Sequence, residues 1–527
     1  MPDDEEALTL GQLYASVRSR LADDGVPEPD SSARHIAATA AGCGAADVVA
    51  APRTPMTVRM VAHADAMAAR RKAGEPLQYV LGSWGFRKLD LATDRRALIP
   101  RPETETVAGI AVEWLAAQVR SGRLRTPNVA DLGTGCGAIA LSVAYEVPGA
   151  RVFATDSSPD ALALTGENMA GVGWAAARVS LHHGDWFDAL VDVPAPTSVS
   201  PALSGALAGH SDGTEPPSPS GSQELRERLD VIVANPPYVA DDEELPDEVA
   251  DWEPHDALYA GVDGLADLRR ILCEARGWLA PGGLLVLECA PHQAADLAAA
   301  ADARGYEAVR IERDLAGRDR AIVAQRPLDE PGSAVIDAAM SSLRNGGFIV
   351  APTDTLCGVL ARYANSEAVA AVCSAKERPP TEPMPILVSG LTQAADLVEL
   401  SRGARRLAGR HWPGGLTLVA QRRGGPDPLH GLSTLGVRAP ALGWLRWLID
   451  EIGPLTGTSA NRHGAATPAD AQQAAESLAV APAAVIGGRA AGGTASTVVD
   501  VTGAEPVVLR EGAVPAELLT LAVEAEH

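Results

Sequence analysis

Several things are scarce in this chain of 527 residues. Its six cysteines, Cys43, Cys136, Cys273, Cys289, Cys357 and Cys373, lie far apart and form no Cys-x-x-Cys pair. That spacing argues against a zinc knuckle or a disulfide framework, and the thiols are expected to be reduced and buried. No uninterrupted apolar run approaches the ~20 residues that a membrane helix needs. The opening "MPDDEEALTL" is acidic where a secretory signal would be basic, so a cytoplasmic location is expected. Positive charge is short as well: 44 Lys and Arg face 68 Asp and Glu, a formal charge of −24. Such a field repels phosphate backbones and disfavours broad nucleic-acid binding, while leaving room for a local basic pocket. There is no "GxxxxGK[ST]" loop, which disfavours an ordinary Walker ATPase, and no internal repeat is visible.

What is present points to globular domains. Hydrophobic residues make up 46% of the chain, and the length alone suggests about three or four domains. Residues 1–85 read as helical, with apolar residues at helical spacing in "ALTLGQLYASVRSRLADDGV" and the theme repeated over Ser31–Ala46 and Thr57–Lys72. Beyond about 125, short apolar runs ("NVADLG", "RVFATD", "VIVANPPY", "LLVLECA") alternate with longer helical ones. That alternation predicts an α/β fold with a parallel sheet covered by helices. The Pro/Ser/Gly-rich segment Val191–Glu224 interrupts the pattern and reads as a flexible insertion. "QRPLDEPGSA" is the expected linker, after which a second α/β pattern opens with "NGGFIVAPTDT".

The first constellation begins with "VADLGTGCGAIAL". Gly133, Gly135 and Gly137 fall in a strand-to-helix turn, where glycine allows positive φ and close approach to a ligand. Thr134 and Cys136 share the turn, and Asp131 at the strand end is a candidate partner for a cationic amino-acid group. A dinucleotide-binding turn would look similar. Asp156 ends the next strand, where it can grip ribose hydroxyls or merely cap a helix. Trp186 in "GDWF" can stack on adenine or belong to the core. "NPPY" narrows these choices. Proline has no N–H and pushes the preceding residue to an extended conformation. Asn235 and Pro236 therefore present a side-chain amide and a free carbonyl, two acceptors for a planar –NH2 group. They would place its nitrogen for in-line attack on a methyl sulfonium, and Tyr238, after Pro237, can stack on the flat group.

With "PLQYVLGSWGF", "LIPRPETE" (Leu98–Glu105), "WEPHDALYAGVDGLADLRRI" and "LAPGGLLVLECAPHQ", residues 1–326 resemble the HemK/PrmC family. These are glutamine methyltransferases of class I peptide release factors. The resemblance implies a helical recognition subdomain over 1–85 and a Rossmann-like, S-adenosylmethionine-dependent methyltransferase domain over 86–326. It implies that Gly133 to Gly137, Asp156, Trp186 and Asn235 contact the methyl donor. Asn235 to Tyr238 would hold the glutamine of the release factor's Gly-Gly-Gln loop. "ECAPHQ" departs from the family by lacking the glycine that usually follows the Glu-His pair, which leaves the role of Glu288 open. The alternative, a DNA adenine methyltransferase, shares the Asn-Pro-Pro-Tyr type of motif but not the "RPETE" stretch.

A second constellation follows. In "APTDTLCG", Thr353, Asp354 and Thr355 offer short polar groups at a strand end, suited to a small zwitterion or to a helix start. Lys376 and Arg378 can neutralise a triphosphate or be solvated surface. Downstream, Thr434, Arg438, Ser459, Asn461, Ser496, Thr497 and Arg510 supply hydroxyl, amide and guanidinium groups. The Pro-Thr-Asp-Thr turn, Lys-x-Arg, Trp412-Pro413-Gly414, Ser-x-Asn and Ser-Thr-Val-Val-Asp together resemble the YrdC-like threonylcarbamoyl-AMP synthases over 332–516. The resemblance implies a separate twisted-sheet α/β domain. It also implies a reaction joining L-threonine, bicarbonate and ATP, with Mg²⁺, whose product goes to a tRNA-modifying complex. Thr353, Thr355, Arg438, Ser459 and Ser496 would face threonine, and Lys376, Arg378, Thr434, Asn461 and Arg510 would face ATP. Cys357 stands where the family more often has an aromatic residue, and is expected to pack rather than react. The expected organisation is completed by a linker at 327–331 and a tail at 517–527. The expected whole is a bifunctional translation-related enzyme with no membrane and no DNA partner and no protein-held metal. The alternative for the second half is a non-catalytic nucleotide- or RNA-binding module.

Overall fold

The computed structural model describes residues 8–194, 225–328, 330–380, 382–424, 428, 431–503 and 505–520. All but the first four residues of the anticipated insertion Val191–Glu224 lie outside that set, as does the tail from residue 521. The chain divides into two compact units: Met1–Leu297 with Arg310–Val323, and Ala298–Val309 with Ala324–His527.

The chain is helical at the start, as its periodicity predicts. Helices α1 (Leu10–Asp23), α2 (Pro29–Ala41), α3 (Asp47–Ala50), α4 (Val58–Lys72) and α5 (Leu77–Leu81) enclose a small core of Leu13, Val17, Ile36, Met67 and their neighbours. Thr9 caps α1 in a reciprocal box with Gln12, and the Thr57 hydroxyl caps α4, so both helices start where their polar residues satisfy free N–H groups. A short antiparallel hairpin then follows, β1 (Ser83–Phe86) and β2 (Leu89–Ala92). The sequence reading did not anticipate it.

After α6 (Pro102–Arg120) comes a seven-stranded sheet of order β5-β4-β3-β6-β7-β9-β8. Its strands are β3 (Asn128–Leu132), β4 (Arg151–Asp156), β5 (Val179–His183), β6 (Leu229–Ala234), β7 (Leu279–Glu288), β8 (Glu307–Arg313) and β9 (Asp319–Gln325). The pairs β3–β4, β4–β5, β3–β6 and β6–β7 are parallel. Every residue of β6 is buried, Asp230 included, which explains the apolar run Val231–Ala234. The chain lays down β3, β4 and β5 in one direction and then crosses back to place β6 on the other side of β3. That reversal opens a crevice at the carboxyl ends of β3 and β6, the usual ligand position in such sheets.

The second unit holds a four-stranded and a six-stranded sheet. The first has the order β16-β11-β10-β17, from β10 (Phe348–Ala351), β11 (Gly358–Ala361), β16 (Thr458–Ser459) and β17 (Ala484–Val485). The second has the order β15-β12-β14-β13-β18-β19. Its strands are β12 (Ile386–Leu387), β13 (Leu416–Gln421), β14 (Thr434–Arg438), β15 (Leu455–Thr456), β18 (Thr497–Asp500) and β19 (Val507–Arg510). A core of Val350, Val359, Val372, Ile386, Leu418 and Val437 draws on both sheets. No disulfide joins the six cysteines. Four of them are buried as expected, but Cys43 is only partly buried and Cys273 is exposed, because its place on the helix Ala266–Glu274 faces outward.

Candidate active sites

In the first unit, Gly133, Gly135 and Gly137 all have positive φ, at 72°, 59° and 85°. A Cβ on Gly137 would come within 2.8 Å of the Thr165 methyl carbon. The turn therefore needs glycine both for its backbone and for close packing under α7 (Ala138–Glu146). It borders a cavity of about 310 Å³ that is also lined by Thr134, Cys136, Asp156, Trp186, Asn235 and Pro237. One wall comes from Ala97 and the "LIPRPETE" stretch that follows it: Leu98 to Pro100 and Thr104.

The acidic residues divide in role. Asp156 lies at the cavity, where its carboxylate accepts N–H bonds from Gly135 and Ser158, both at 2.9 Å. Ser158, not Asp156, caps α8 (Pro159–Val172). Burial raises the pKa of Asp156. Asp131 is turned inward instead, taking the Thr134 hydroxyl at 2.7 Å and the Ala140 N–H at 2.9 Å. Burial pushes Asp131 up to about 7. It lies outside the lining of the cavity and supports the turn from beneath. Trp186 lies over the turn, its ring 3.1 Å from where a Gly133 Cβ would sit, and its indole N–H reaches Asp267 at 3.3 Å.

At the end of β6, Asn235 borders the cavity and donates from Nδ2 to the Thr104 hydroxyl at 3.2 Å. That bond uses one of the two Nδ2 hydrogens and turns Oδ1, an acceptor, to the other side of the amide. Pro236 is buried behind it, and the Tyr238 hydroxyl reaches back to Glu288 at 3.4 Å rather than lining the cavity. Glu288, at the end of β7, is fully buried and pushed up to about 7 by that burial. Neither Thr104 nor a use for Glu288 is marked by the local sequence.

The second unit gathers Thr353, Thr355, Arg378, Thr434, Arg438, Ser459, Ser496 and Arg510 around a cavity of about 520 Å³. Arg438 is the hub. Its guanidinium donates to the Gly414 carbonyl at 2.9 Å, the Thr355 hydroxyl at 2.7 Å and Asp354 at 2.6 Å. Ser496 pairs with the Thr417 hydroxyl at 2.9 Å, and Arg510 closes over the Ser496 carbonyl at 2.8 Å. Arg378 is tethered to the Pro383 carbonyl at 2.6 Å and to Glu382 at 3.2 Å. Lys376 and Asn461 stand outside the lining. The Lys376 ammonium donates to the Ser459 carbonyl and, at 2.7 Å, to that of Asn461. Burial lowers its pKa to about 8. The Asn461 side chain is spent on its own loop, on the Ala465 carbonyl at 2.6 Å and the Thr467 hydroxyl at 3.0 Å. Cys357 also borders the cavity, but its thiol bonds the Ala469 carbonyl at 3.2 Å and burial raises its pKa, as suits packing rather than attack.

A sheet parallel over β5-β4-β3-β6-β7, with a glycine turn at its reversal and an Asn-Pro-Pro-Tyr corner, defines a Rossmann-like methyltransferase. A family model described as the PrmC N-terminal domain matches residues 12–82, and one described as the methyltransferase small domain matches 110–195. The release factor glutamine methyltransferase of Bifidobacterium longum (strain NCC 2705) is 36% identical over 323 residues, 60% of this chain and 99% of that protein. That of Streptomyces coelicolor (strain ATCC BAA-471 / A3(2) / M145) is 34% identical over 317 residues, 60% of this chain and 97% of that one. The chain belongs to the release factor glutamine methyltransferase family. It also carries a Sua5/YciO/YrdC domain, matched over residues 341–512 by a model described as "Telomere recombination". A solved structure of P. abyssi Sua5 complexed with L-threonine is 33% identical over 36% of this chain, with a TM-score of 0.34; the chain spans 57% of that structure's length.

Proposed function

We propose that the chain is a bifunctional enzyme of translation. Its first part, residues 1–326, methylates N5 of the glutamine in the Gly-Gly-Gln loop of class I release factors. Its second, residues 332–516, makes threonylcarbamoyl-AMP from L-threonine, bicarbonate and ATP for tRNA modification, both in the cytoplasm.

One observation carries the first reading. Thr104 engages the Asn235 nitrogen and turns the amide oxygen to the other side, as an acceptor for a ligand. The Asn-Pro-Pro-Tyr motif would add the Pro236 carbonyl as a second acceptor for the two hydrogens of a primary amide, while the proline that borders the cavity itself is Pro237. The surroundings fit S-adenosylmethionine: a glycine turn for close backbone approach, Asp156 at the strand end for hydroxyls, and the Trp186 ring for a planar base. When bound, that cofactor supplies an electrophilic methyl group on a sulfonium. Asn235 and Pro236 orient the amide nitrogen toward it and keep the lone pair from rotating away. Asn235→Ala should lower methyl transfer by at least ~10²-fold, as misplacement of a reacting atom does, while the methyl donor still binds. Labelled methyl transfer to a release factor, and its loss when the loop glutamine is changed to alanine, tests the substrate. Transfer to DNA in its place would overturn the reading.

For the second part, support comes from the convergence of Arg378, Arg438, Arg510 and Ser496 on one cavity in an acidic chain. The cationic groups suit charge developing on phosphate as a carbamate oxygen displaces pyrophosphate. Magnesium arrives with the nucleotide. Pyrophosphate release from ATP should require both threonine and bicarbonate; none at saturation of all three would favour a non-catalytic module.

A further inference from the structure

We propose that Glu253 is a positioning residue for methyl transfer: its carboxylate joins two walls of the first cavity and, through Arg101 and Thr104, holds the Asn235 amide in place. This rests on the methyl-transfer reading above and names what fixes its central group.

Two stretches of chain line the cavity without belonging to the strands of the sheet. One is Arg96–Pro100 with Thr104 at the start of α6; the other is Pro254, Asp256 and Ala257. Loop backbone of this kind keeps one position only where something pins it. Glu253 comes immediately before the second wall and is buried, with both carboxylate oxygens turned on the first. Its Oε2 accepts the Ile99 N–H at 3.0 Å, and its Oε1 accepts from the Arg101 guanidinium. These donors lie 154 and 152 positions earlier in the chain. A buried carboxylate that loses such a partner is left uncompensated, so the join is held firmly.

From Arg101 the fixing passes inward through hydrogen bonds. Arg101 is the residue that caps the start of α6, and its carbonyl accepts the Thr104 N–H at 3.1 Å, which sets the first turn of the helix. The Thr104 hydroxyl oxygen, carried on that turn, accepts from Asn235 Nδ2 at 3.2 Å. Displacing Arg101 therefore moves the hydroxyl against which the Asn235 amide rests.

The glycine turn and the Trp186 ring are pinned by other bonds. Asp156 holds the Gly135 N–H at 2.9 Å, and Asp267 takes the indole N–H at 3.3 Å. The two walls also have supports besides Glu253. Glu248 pairs with Arg71 of α4 at 3.0 Å, the Tyr79 hydroxyl donates to the Ala97 carbonyl at 2.7 Å, and Arg95 lies 5.3 Å over the Trp252 ring. Loss of Glu253 thus loosens the Asn235 side of the cavity while the fold and the donor side stay.

The experiment uses the full chain. Glu253→Gln keeps the shape and an oxygen for Ile99 but has no charge for Arg101. Its kcat should fall by ~10²-fold, as misplacement of a reacting group does, with the Kd of S-adenosylmethionine by calorimetry within about threefold of the parent. Arg101→Ala should behave alike, and Arg101→Lys should recover roughly tenfold, because an ammonium can still meet one carboxylate oxygen. The double variant Glu253→Gln/Arg101→Ala should be no slower than the slower single one, since both remove the same bond. Hydrogen exchange followed by mass spectrometry is independent of turnover. Peptides covering residues 96–104 should exchange faster in both single variants, and those covering the glycine turn at 133–137 should not. If Glu253→Gln does not fold, Arg101→Ala and Arg101→Lys carry the test. Undiminished kcat, a donor Kd that rises in step with the fall in kcat, additive losses in the double variant, or unchanged exchange at 96–104 would each overturn the proposal. A parent chain that methylates no release factor would instead strike the functional reading, and the exchange arm would still decide this one.

Discussion

At the scale of single residues, position in the chain and position in the fold part company. Arg438 and the Thr353–Thr355 turn are far apart in sequence, yet the guanidinium spans Thr355, Asp354 and Gly414. This fork gives the Trp412-Pro413-Gly414 element a use: its glycine carbonyl anchors the Nε of Arg438. Lysine has the charge but only one nitrogen, and cannot hold three acceptors in a plane. Arg438→Lys should therefore leave the turn loose and raise KM for threonine by ~10-fold, about 1.4 kcal/mol of binding, with kcat less affected. Steady-state pyrophosphate release measured against threonine checks it; an unchanged KM would remove Arg438 from the pocket's frame. Hydroxyl and guanidinium types flagged eight of the ten Ser, Thr and Arg residues that line the cavity, leaving out Thr417 and Thr458. The sequence did not reveal that Lys376 and Asn461 spend their polar atoms on backbone carbonyls and their own loop, because a side chain's nearest acceptor is a property of the fold. Thr104 and Glu288 escaped for the same reason: their partners, Asn235 for Thr104 and Tyr238 for Glu288, lie far along the chain.

At the scale of elements, legibility followed local signals. Helices α1 and α4 were readable because their caps and periodicity are encoded within a few residues. The hairpin β1–β2 was not. Its turn residue Arg87 adopts φ 51° without being glycine or asparagine. What holds it there is distant: its guanidinium bonds Glu146 at 2.6 Å and the Glu105 carbonyl at 2.9 Å. Tertiary contacts override turn propensity at such a site. The glycine turn after β3 is the opposite case, written in the sequence and required by it. Gly137 combines φ 85° with a neighbour at 2.8 Å from any added Cβ. Gly137→Ala should cost about 1–2 kcal/mol for the left-handed backbone and about 1–3 more for crowding Thr165. Thermal or denaturant unfolding should show the loss, and Thr165→Ser in the same chain, which trims the methyl but keeps the hydroxyl that bonds the Gly135 carbonyl, should recover only Thr165's share of the crowding. Full recovery would mean that the backbone conformation is not under strain.

At the scale of the whole molecule, a release factor glutamine methyltransferase and a Sua5/YciO/YrdC domain share one chain. Alternating apolar runs and the Pro-rich break at "QRPLDEPGSA" were enough to read two α/β regions, whereas strand order was beyond reach, since it depends on which edge each crossover chooses. The methyl-transfer cavity and the cavity of the Sua5/YciO/YrdC domain have no lining residue in common, and their hydrophobic cores are built from different residues. The proposed reactions also share no intermediate, so nothing in the chemistry requires one site to wait for the other. Substitutions without common partners generally add to within about 0.5 kcal/mol, roughly twofold in a rate. Asn235→Ala should thus abolish methyl transfer while leaving threonine-dependent pyrophosphate release within about twofold of the parent. Arg378→Ala should do the reverse, because Arg378 borders the second cavity and not the first. Assaying both activities on both variants and on their double mutant decides the matter. A loss in the unmutated site larger than that twofold margin, present in the single variants and not simply additive in the double, would mean that the two halves are energetically coupled, and that the fusion serves more than joint synthesis.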